Sequence, residues 1–364
     1  MELKKIIEII ENSVPVQLAE SYDNCGLVVG DINGKISKVL IALECTEEVI
    51  QEAISEQAEL IITHHPLIFT PIKSLAETNS TNRMLVKLIE HNIAQYSIHT
   101  NLDNMLSGVN KVNADKIGLV KRDILLPKKN TVRKLVTFVP PGCLDNVKSA
   151  LFRAGAGRFN NYEQCSFVST GTGSFRPLES AKTFLGKPGE LSSLNEDKLE
   201  VVYPYYIEPK IIKALLEAHP YEEVAFDIIK LNSENPSLGS GIVGELSQEM
   251  DTKEFMDYLK QKFKCKCVKH TQLVKNTIKK IAFCGGSGSF LIDEAIRAKA
   301  DVFITSDIKY HDFFKADSKI ILIDIGHYES EQYVPELINN ILSAKIPKLE
   351  FFISNKITNP VFYY

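Results

Sequence analysis

Glu52 to His65 reads EAISEQAELIITHH, and Glu294 to Asp307 reads EAIRAKADVFITSD. The two stretches align without gaps, sharing Glu, Ala, Ile, Ala, Ile and Thr and pairing Glu with Asp and Leu with Val. Each begins as a helix tail and runs into an apolar, β-branched strand, the pattern of a βαβ unit. Each strand then delivers polar residues at its C-terminal end, His64 and His65 in the first and Ser306 and Asp307 in the second.

The match extends in both directions. The preceding strands correspond, KVLIALECT from Lys38 and KKIAFCGGSGS from Lys279. One strand further on, IAQYSIHTNLD carries His99 and Asp103, and IILIDIGHYESE carries His327 and Glu331. Each is a strand ending in His with a carboxylate four residues later. Three correspondences in one order predict a duplicated α/β domain whose halves face each other across a pseudo-twofold axis. In open, mostly parallel sheets, ligands bind outside the carboxyl ends of the strands. Five of the eight histidines, His64, His65, His99, His311 and His327, fall on or just after such ends.

Composition narrows the classes. At 364 residues the chain is long enough for two or three domains, at roughly 150 residues each. A net charge of −4 gives no overall attraction for nucleic acid or anionic membranes. The N-terminal MELKKIIEIIENSV reads as an amphipathic helix, interrupted by Glu8, Glu11 and Asn12, rather than as a signal peptide. Seven cysteines without a framework spacing favour a reducing, cytoplasmic setting. Cys265 and Cys267, in KCKCVK, read as alternating residues of a strand.

Imidazole and carboxylate donors without thiolate suit Zn, Fe or Mn. His64 and His65 would point to opposite faces of a regular strand, but at its end, before Pro66, the backbone can turn both into one site. Two divalent ions need shared carboxylates, for which Asp103 and Glu331 are the natural candidates. Asp307, His311 and His99 are the candidates for proton transfer. The run CGGSGS, Cys284 to Ser289, reads either as an anion cradle or as a tight strand-to-helix turn.

THHPLIF, SIHTNLD, CGGSGS and GHYESE, with SYDNCGLVVG near the start, resemble the Nif-three-like family, whose bacterial members are called GTP cyclohydrolase type 2 homologs. The resemblance implies a dinuclear metal site of His64, His65, Asp103, His327 and Glu331, with His99 and His311 nearby. It also implies toroidal homohexamers. The middle of the chain, KLVTFVPPGCLDNVKSALFRAGAGRFNNYEQCSFVSTGTGSFRP and later AHPYEEVAFDIIKL, is similar to the PII/CutA-like domain inserted in some members. Its pattern reads βαββαβ, the order of a ferredoxin-like sandwich. The expected architecture is therefore α/β, with domain halves 1–126 and 235–364 around an α+β insertion at 127–234. AHPYEE, with His219, Glu222 and Glu223, reads as a turned helix end or as a second metal or effector site. The resemblance implies GTP cyclohydrolase-type hydrolysis, with attack at C8 of the guanine ring and release of formate. The alternative is a metal-storage, delivery or regulatory assembly whose insertion senses a small molecule.

Overall fold

The computed structural model describes residues 1–76, 79–159 and 161–364, with Glu234 described by its backbone alone. The strands β1 (Gly26–Val29), β2 (Lys38–Ala42), β3 (Leu60–Thr63) and β4 (Ala94–Ser97) come first. Then follow β5 (Leu119–Lys129), β6 (Val132–Val139), β7 (Ser166–Phe175), β8 (Ser192–Pro204) and β9 (Phe226–Leu231). The last six are β10 (Glu234–Asp251), β11 (Lys269–His270), β12 (Thr277–Ser287), β13 (Val302–Ser306), β14 (Ile321–Asp324) and β15 (Glu350–Ile353). The chain forms two compact units, one of Met1–Pro127 with Pro236–Tyr364 and one of Lys128–Asn235.

The first unit has two mixed sheets, ordered β1-β4-β3-β2-β15 and β11-β14-β13-β12-β10-β5. At the heart of each lie three parallel strands, β2-β3-β4 and β12-β13-β14. Leu60 stands opposite Val39 and Ala94, and its repeat mate Val302 stands opposite Ile281 and Ile321. Residues 39–42, 60–62, 302–304 and 321–323 are continuous apolar runs because both faces are covered. Strand β4, by contrast, buries Gln95 and Ser97, with Gln95 Nε2 donating to Ser97 Oγ at 2.9 Å. Successive side chains alternate between faces. Leu60 and Ile62 therefore join one core with Val39 and Ile41, while Ile61 joins another with Leu40 and Ala53. The second sheet repeats the division, with Val302 and Ile304 on one side and Phe303 on the other. Burying each such side chain contributes about 1.5–3 kcal/mol.

The duplication reaches the turns. Each helix before the repeat strand ends in a left-handed residue, Gln57 (φ 57°) or Lys299 (φ 55°), at the same repeat position. Two residues later a carboxylate pins the neighbouring strand. Glu59 accepts from Ser37 N at 3.1 Å and Lys38 N at 2.9 Å, and Asp301 accepts from Lys279 N at 2.9 Å and Lys280 N at 2.8 Å.

The second unit runs β6, helix Leu144–Arg153, β7, β8, helix Glu208–Ala218, β9. Its sheet is ordered β7-β8-β6-β9, with every neighbour antiparallel. Leu135, Val139, Leu199, Val201 and Tyr203 pack against Val147, Leu151, Ile211 and Leu215 of the two helices.

One local expectation fails. Cys265 and Cys267 lie in no strand. The helix Thr252–Phe263 closes on Lys264 in the left-handed conformation (φ 53°), and β11 holds only Lys269 and His270. The left-handed cap turns the chain there, and Cys265 is buried while Cys267 is exposed. Among the described residues, no helix is long and apolar enough to cross a membrane.

Candidate metal centre

The parallel ladder carries past the end of β3. His64 N donates to Ala42 O at 3.3 Å and His65 N to Leu43 O at 3.1 Å, while Thr63 Oγ1 donates to His65 O at 2.7 Å. The turn into Pro66 brings adjacent imidazoles together, with ring centroids 4.9 Å apart. His99 packs edge-on to both, at 5.2 and 5.1 Å, and His327 lies 5.3 Å from His65.

Each of these four rings is fixed through Nδ1. His64 Nδ1 lies 2.8 Å from Ile98 O, and His65 Nδ1 lies 2.5 Å from Glu44 Oε1. His99 Nδ1 lies 2.9 Å from Asp23 Oδ1, and His327 Nδ1 lies 2.6 Å from Asp307 Oδ2. An acceptor on Nδ1 fixes which nitrogen of the neutral ring keeps its proton and so makes Nε2 the one that can bind a metal, the arrangement that surrounds metal-ligating histidines.

The Nε2 atoms of His64, His65 and His327 face carboxylates. Glu331 Oε2 is 3.1 Å from His65 Nε2 and 3.0 Å from His327 Nε2, and those two nitrogens are 3.4 Å apart. Glu331 Oε1 looks the other way, 4.0 Å from His64 Nε2, which is itself 3.6 Å from Asp103 Oδ1. Among the described residues, two groups could hold a metal ion, His64 with His65 and His99, and His65 with His327 and Glu331; within each, the donor atoms lie within 4.8 Å of one another. Donors ~2.0–2.1 Å from a common tetrahedral ion stand ~3.3–3.5 Å apart, so the spacings suit one. Two buried atoms, His64 Nε2 and Glu331 Oε2, also lack an aligned hydrogen bond, although the latter has imidazoles at ion-pair distance. Buried polar atoms of that kind are costly unless something fills the space between them. The donor set therefore fits a divalent cation.

The electrostatics carry the same tension. Burial drives the His64 pKa down to about 3, so this ring is neutral. Burial also opposes a charge on His65 and His327, but the former's contacts with Glu331 and Glu44, and the latter's with Asp307 and Glu331, outweigh it and lift them to about 10 and about 11. Burial alone would raise Glu331, yet His327 and His65 hold it well below the usual carboxylate range. Burial, then repulsion from Glu331, raises Asp103.

The two His–carboxylate motifs are not in strict register. Ile98 N donates to Thr63 O and Ile325 N to Thr305 O, so His99 corresponds to Gly326 and Asp103 to Ser330. The second motif is displaced by one residue. Gly326 takes up the displacement at φ 93°, a conformation that disfavours a side chain. This one-residue shift corrects the expectation that Asp103 and Glu331 hold equivalent places.

The glycine-rich run serves Glu331. A Cβ on Gly286, at φ 62°, would overlap Glu331 Oε1. Gly285 N donates to Asn110 Oδ1 at 3.0 Å and Gly286 N to Ser330 Oγ at 2.9 Å. These two amides are engaged within the protein rather than free to cradle an anion.

Asp307, a candidate for proton transfer in the sequence, is already engaged by its neighbours. Its Oδ2 accepts from Ser287 Oγ at 2.5 Å as well as facing His327, and the His327 contact holds its pKa below the usual range. His311 is exposed on the turn Tyr310–Ala316, edge-on to Tyr310 at 5.2 Å, and joins none of the His–carboxylate contacts above. His219 lies apart from metal chemistry, with Nε2 at 3.0 Å from Phe138 O and Nδ1 accepting from Tyr221 N at 3.2 Å. Glu222 accepts from Lys182 N at 2.7 Å.

Two carboxylates escaped the sequence reading. Asp23, from SYDNCG, has a fully buried side chain and accepts from Thr100 N at 3.1 Å, Thr100 Oγ1 and Cys25 Sγ while holding His99. Glu44 lies two residues past β2, on the same C-terminal edge as the histidines. That edge rule was the signal that could have found it.

The fold and cluster define a duplicated α/β protein with a histidine–carboxylate centre able to hold metal. The chain belongs to the Duf34/NIF3 (NGG1p interacting factor 3) family, whose model matches residues 1–360. It is 36% identical over 365 residues to a Bacillus subtilis protein named GTP cyclohydrolase 1 type 2 homolog, covering 98% of this chain and 97% of that one. A Halalkalibacterium halodurans protein of the same name is 37% identical over 360 residues, covering 98% and 97%. Among solved structures, a Bacillus cereus protein related to NIF3 superposes with a TM-score of 0.87 at 35% identity, covering 100% of this chain and 99% of that one. A Staphylococcus aureus protein superposes at 0.77 and 31% identity, with coverage of 100% and 99%.

Proposed function

We propose that the chain holds two divalent ions of the Zn, Fe or Mn type and hydrolyses a nucleotide, in the manner that the name of its relatives implies. The observation that carries this reading is the common orientation of four imidazoles, each anchored at Nδ1 and turned inward at Nε2. His64, His65, Asp103, His327 and Glu331 are the proposed ligands, with Glu331 shared because its two oxygens face different histidines. When bound, the ions would supply Lewis acidity toward water and toward the substrate. His99, held by Asp23, presents Nε2 beside the ligands as the group that takes and returns a proton. Asp307 and Glu44 orient His327 and His65.

The βαββαβ order and antiparallel sheet of the second unit support reading it as a PII/CutA-like insertion. We extend the proposal to a cytoplasmic homohexamer, which light scattering on the purified protein would test as six copies. The direct test of activity is formate release from GTP by metal-reconstituted protein. Full metal content with no hydrolysis across a nucleotide panel would favour the storage or regulatory reading.

A further inference from the structure

We propose that the second unit carries a separate binding site for a small organic phosphate. A cleft of about 320 Å³ opens there, at the small end of the ~300–1,000 Å³ of ligand pockets. Its walls are Ser149, Phe152 and Arg153 of the helix Leu144–Arg153, and Ala156, Arg158 and Glu163 of the loop leading to β7. Arg153 and Arg158 thus line one space, and among the described residues neither makes an ion pair or hydrogen bond. Arg83, Arg122, Arg133 and Arg297 each have a carboxylate partner, and Arg176, which has none among the described residues, does not line this cleft.

The start of the loop that carries Arg158 is pre-shaped. Gly155 and Gly157 have φ of 107° and 75°, and a Cβ on Gly157 would stand 2.7 Å from Cys165 O and 2.9 Å from Phe152 Cε1. Gly157 N donates to Val202 O at 2.8 Å, Cys165 N to Gly157 O at 2.8 Å, and Ala156 N to Leu151 O at 3.0 Å. The floor at Ala156 is buried and the Phe152 ring supplies an apolar wall, so a flat, uncharged group has a place beside the charge.

The chemistry selects among anions. One guanidinium fork fills both oxygens of a carboxylate, whereas a phosphate dianion offers enough oxygens for two forks at once. Ser149 adds a hydroxyl donor. Glu163 on the wall repels a second negative group, so the fitting ligand has one phosphate and a neutral, planar remainder.

The test is calorimetry on the full chain with phenyl phosphate, alongside inorganic phosphate, benzoate and benzyl alcohol. Phenyl phosphate is expected to bind with a Kd below about 1 mM and more tightly than any of the other three. Affinity is expected to be the same in excess chelator, since the site is not the histidine centre. Arg153→Gln and Arg158→Gln should each weaken binding about tenfold or more, and Arg158→Lys less, because a lysine keeps the charge without the fork. Both arginines are exposed, so unchanged circular dichroism and thermal midpoints are expected to accompany the loss. The proposal is overturned by undetectable binding at millimolar phenyl phosphate, by binding unchanged in the double glutamine variant, or by binding abolished with chelator. Benzoate binding as tightly as phenyl phosphate would overturn the assignment to phosphate.

Discussion

The two parallel cores of the first unit share a backbone and differ at their C-terminal edges. In the first, β3 ends in His64 and His65, which turn directly into the cluster. In the second, β13 ends in Ser306, which donates to Gly286 O at 2.6 Å, and then Asp307, which braces His327. The first core thus offers donors from a strand end, and the second offers His327 and Glu331 from the short helix His327–Glu331. What stayed alike, the left-handed Gln57 and Lys299 and the pinning Glu59 and Asp301, holds each sheet together. Both copies need those features to fold, whereas one centre needs only one set of each donor. The asymmetry lies where the chemistry is.

Breaking the contact between the halves should have the largest effect. Glu331→Gln keeps the shape but removes the one charge that faces His65, His327 and His64 together. It is expected to lose both ions, as read by elemental mass spectrometry after dialysis, whereas Asp103→Asn is expected to lose chiefly one. Retention of two equivalents in Glu331→Gln would show that the halves do not share that carboxylate.

Gly286→Ala ranks next. The added methyl would overlap Glu331 Oε1 at a backbone φ of 62°. A folded protein with lowered metal content is expected, and thermal unfolding should show a loss of about 1–3 kcal/mol from the strained backbone. Wild-type metal content would mean that Glu331 can move without consequence.

The orienting carboxylates sharpen the comparison. Glu44→Gln and Asp307→Asn each disturb an Nδ1 acceptor, one per half. Losses of about 10–100-fold in metal affinity are expected of such partners. Glu44→Gln should cost more, because the His65 side chain is 10% exposed against 38% for His327. Equal and negligible losses would mean that both rings keep their orientation without these carboxylates.

The smallest effect is one of pH. The pKa values of His65 and His327 are raised to about 10 and about 11 in the folded, metal-free chain. The protons that they hold therefore stabilise that form fully below about pH 6.5, the unfolded value. The contribution is lost as pH rises through about 10 and 11. Metal must displace the same protons, so binding at neutral pH is expected to release them. Calorimetry in buffers of different ionisation enthalpy reads that release, and a buffer-independent heat would contradict it.

Much of this was legible in the sequence because duplication doubles the signal. A lone HisHis before a proline is ambiguous, but EAISEQAELIITHH set against EAIRAKADVFITSD places it on a strand end. What was not legible depends on contacts between distant segments. Asp23 meets His99 across 76 positions, and nothing local marks it as the acceptor for that ring. The one-residue displacement at Gly326 is invisible in spacing, since both motifs keep histidine and carboxylate four apart. His311 follows Asp307 by four residues, yet the turn Tyr310–Ala316 leaves it exposed among aromatic rings, which only the path of the backbone decides.

The central claim is that His64, His65 and His327, with the carboxylates of Asp103 and Glu331, hold a pair of ions. Its most direct test is the metal content of wild-type protein reconstituted with Zn, Mn or ferrous iron and dialysed against metal-free buffer. Two equivalents per chain are predicted, falling when any of His64, His65 or His327 is replaced by alanine. A protein that retains no metal, or that never exceeds one equivalent under saturating conditions, would contradict the account.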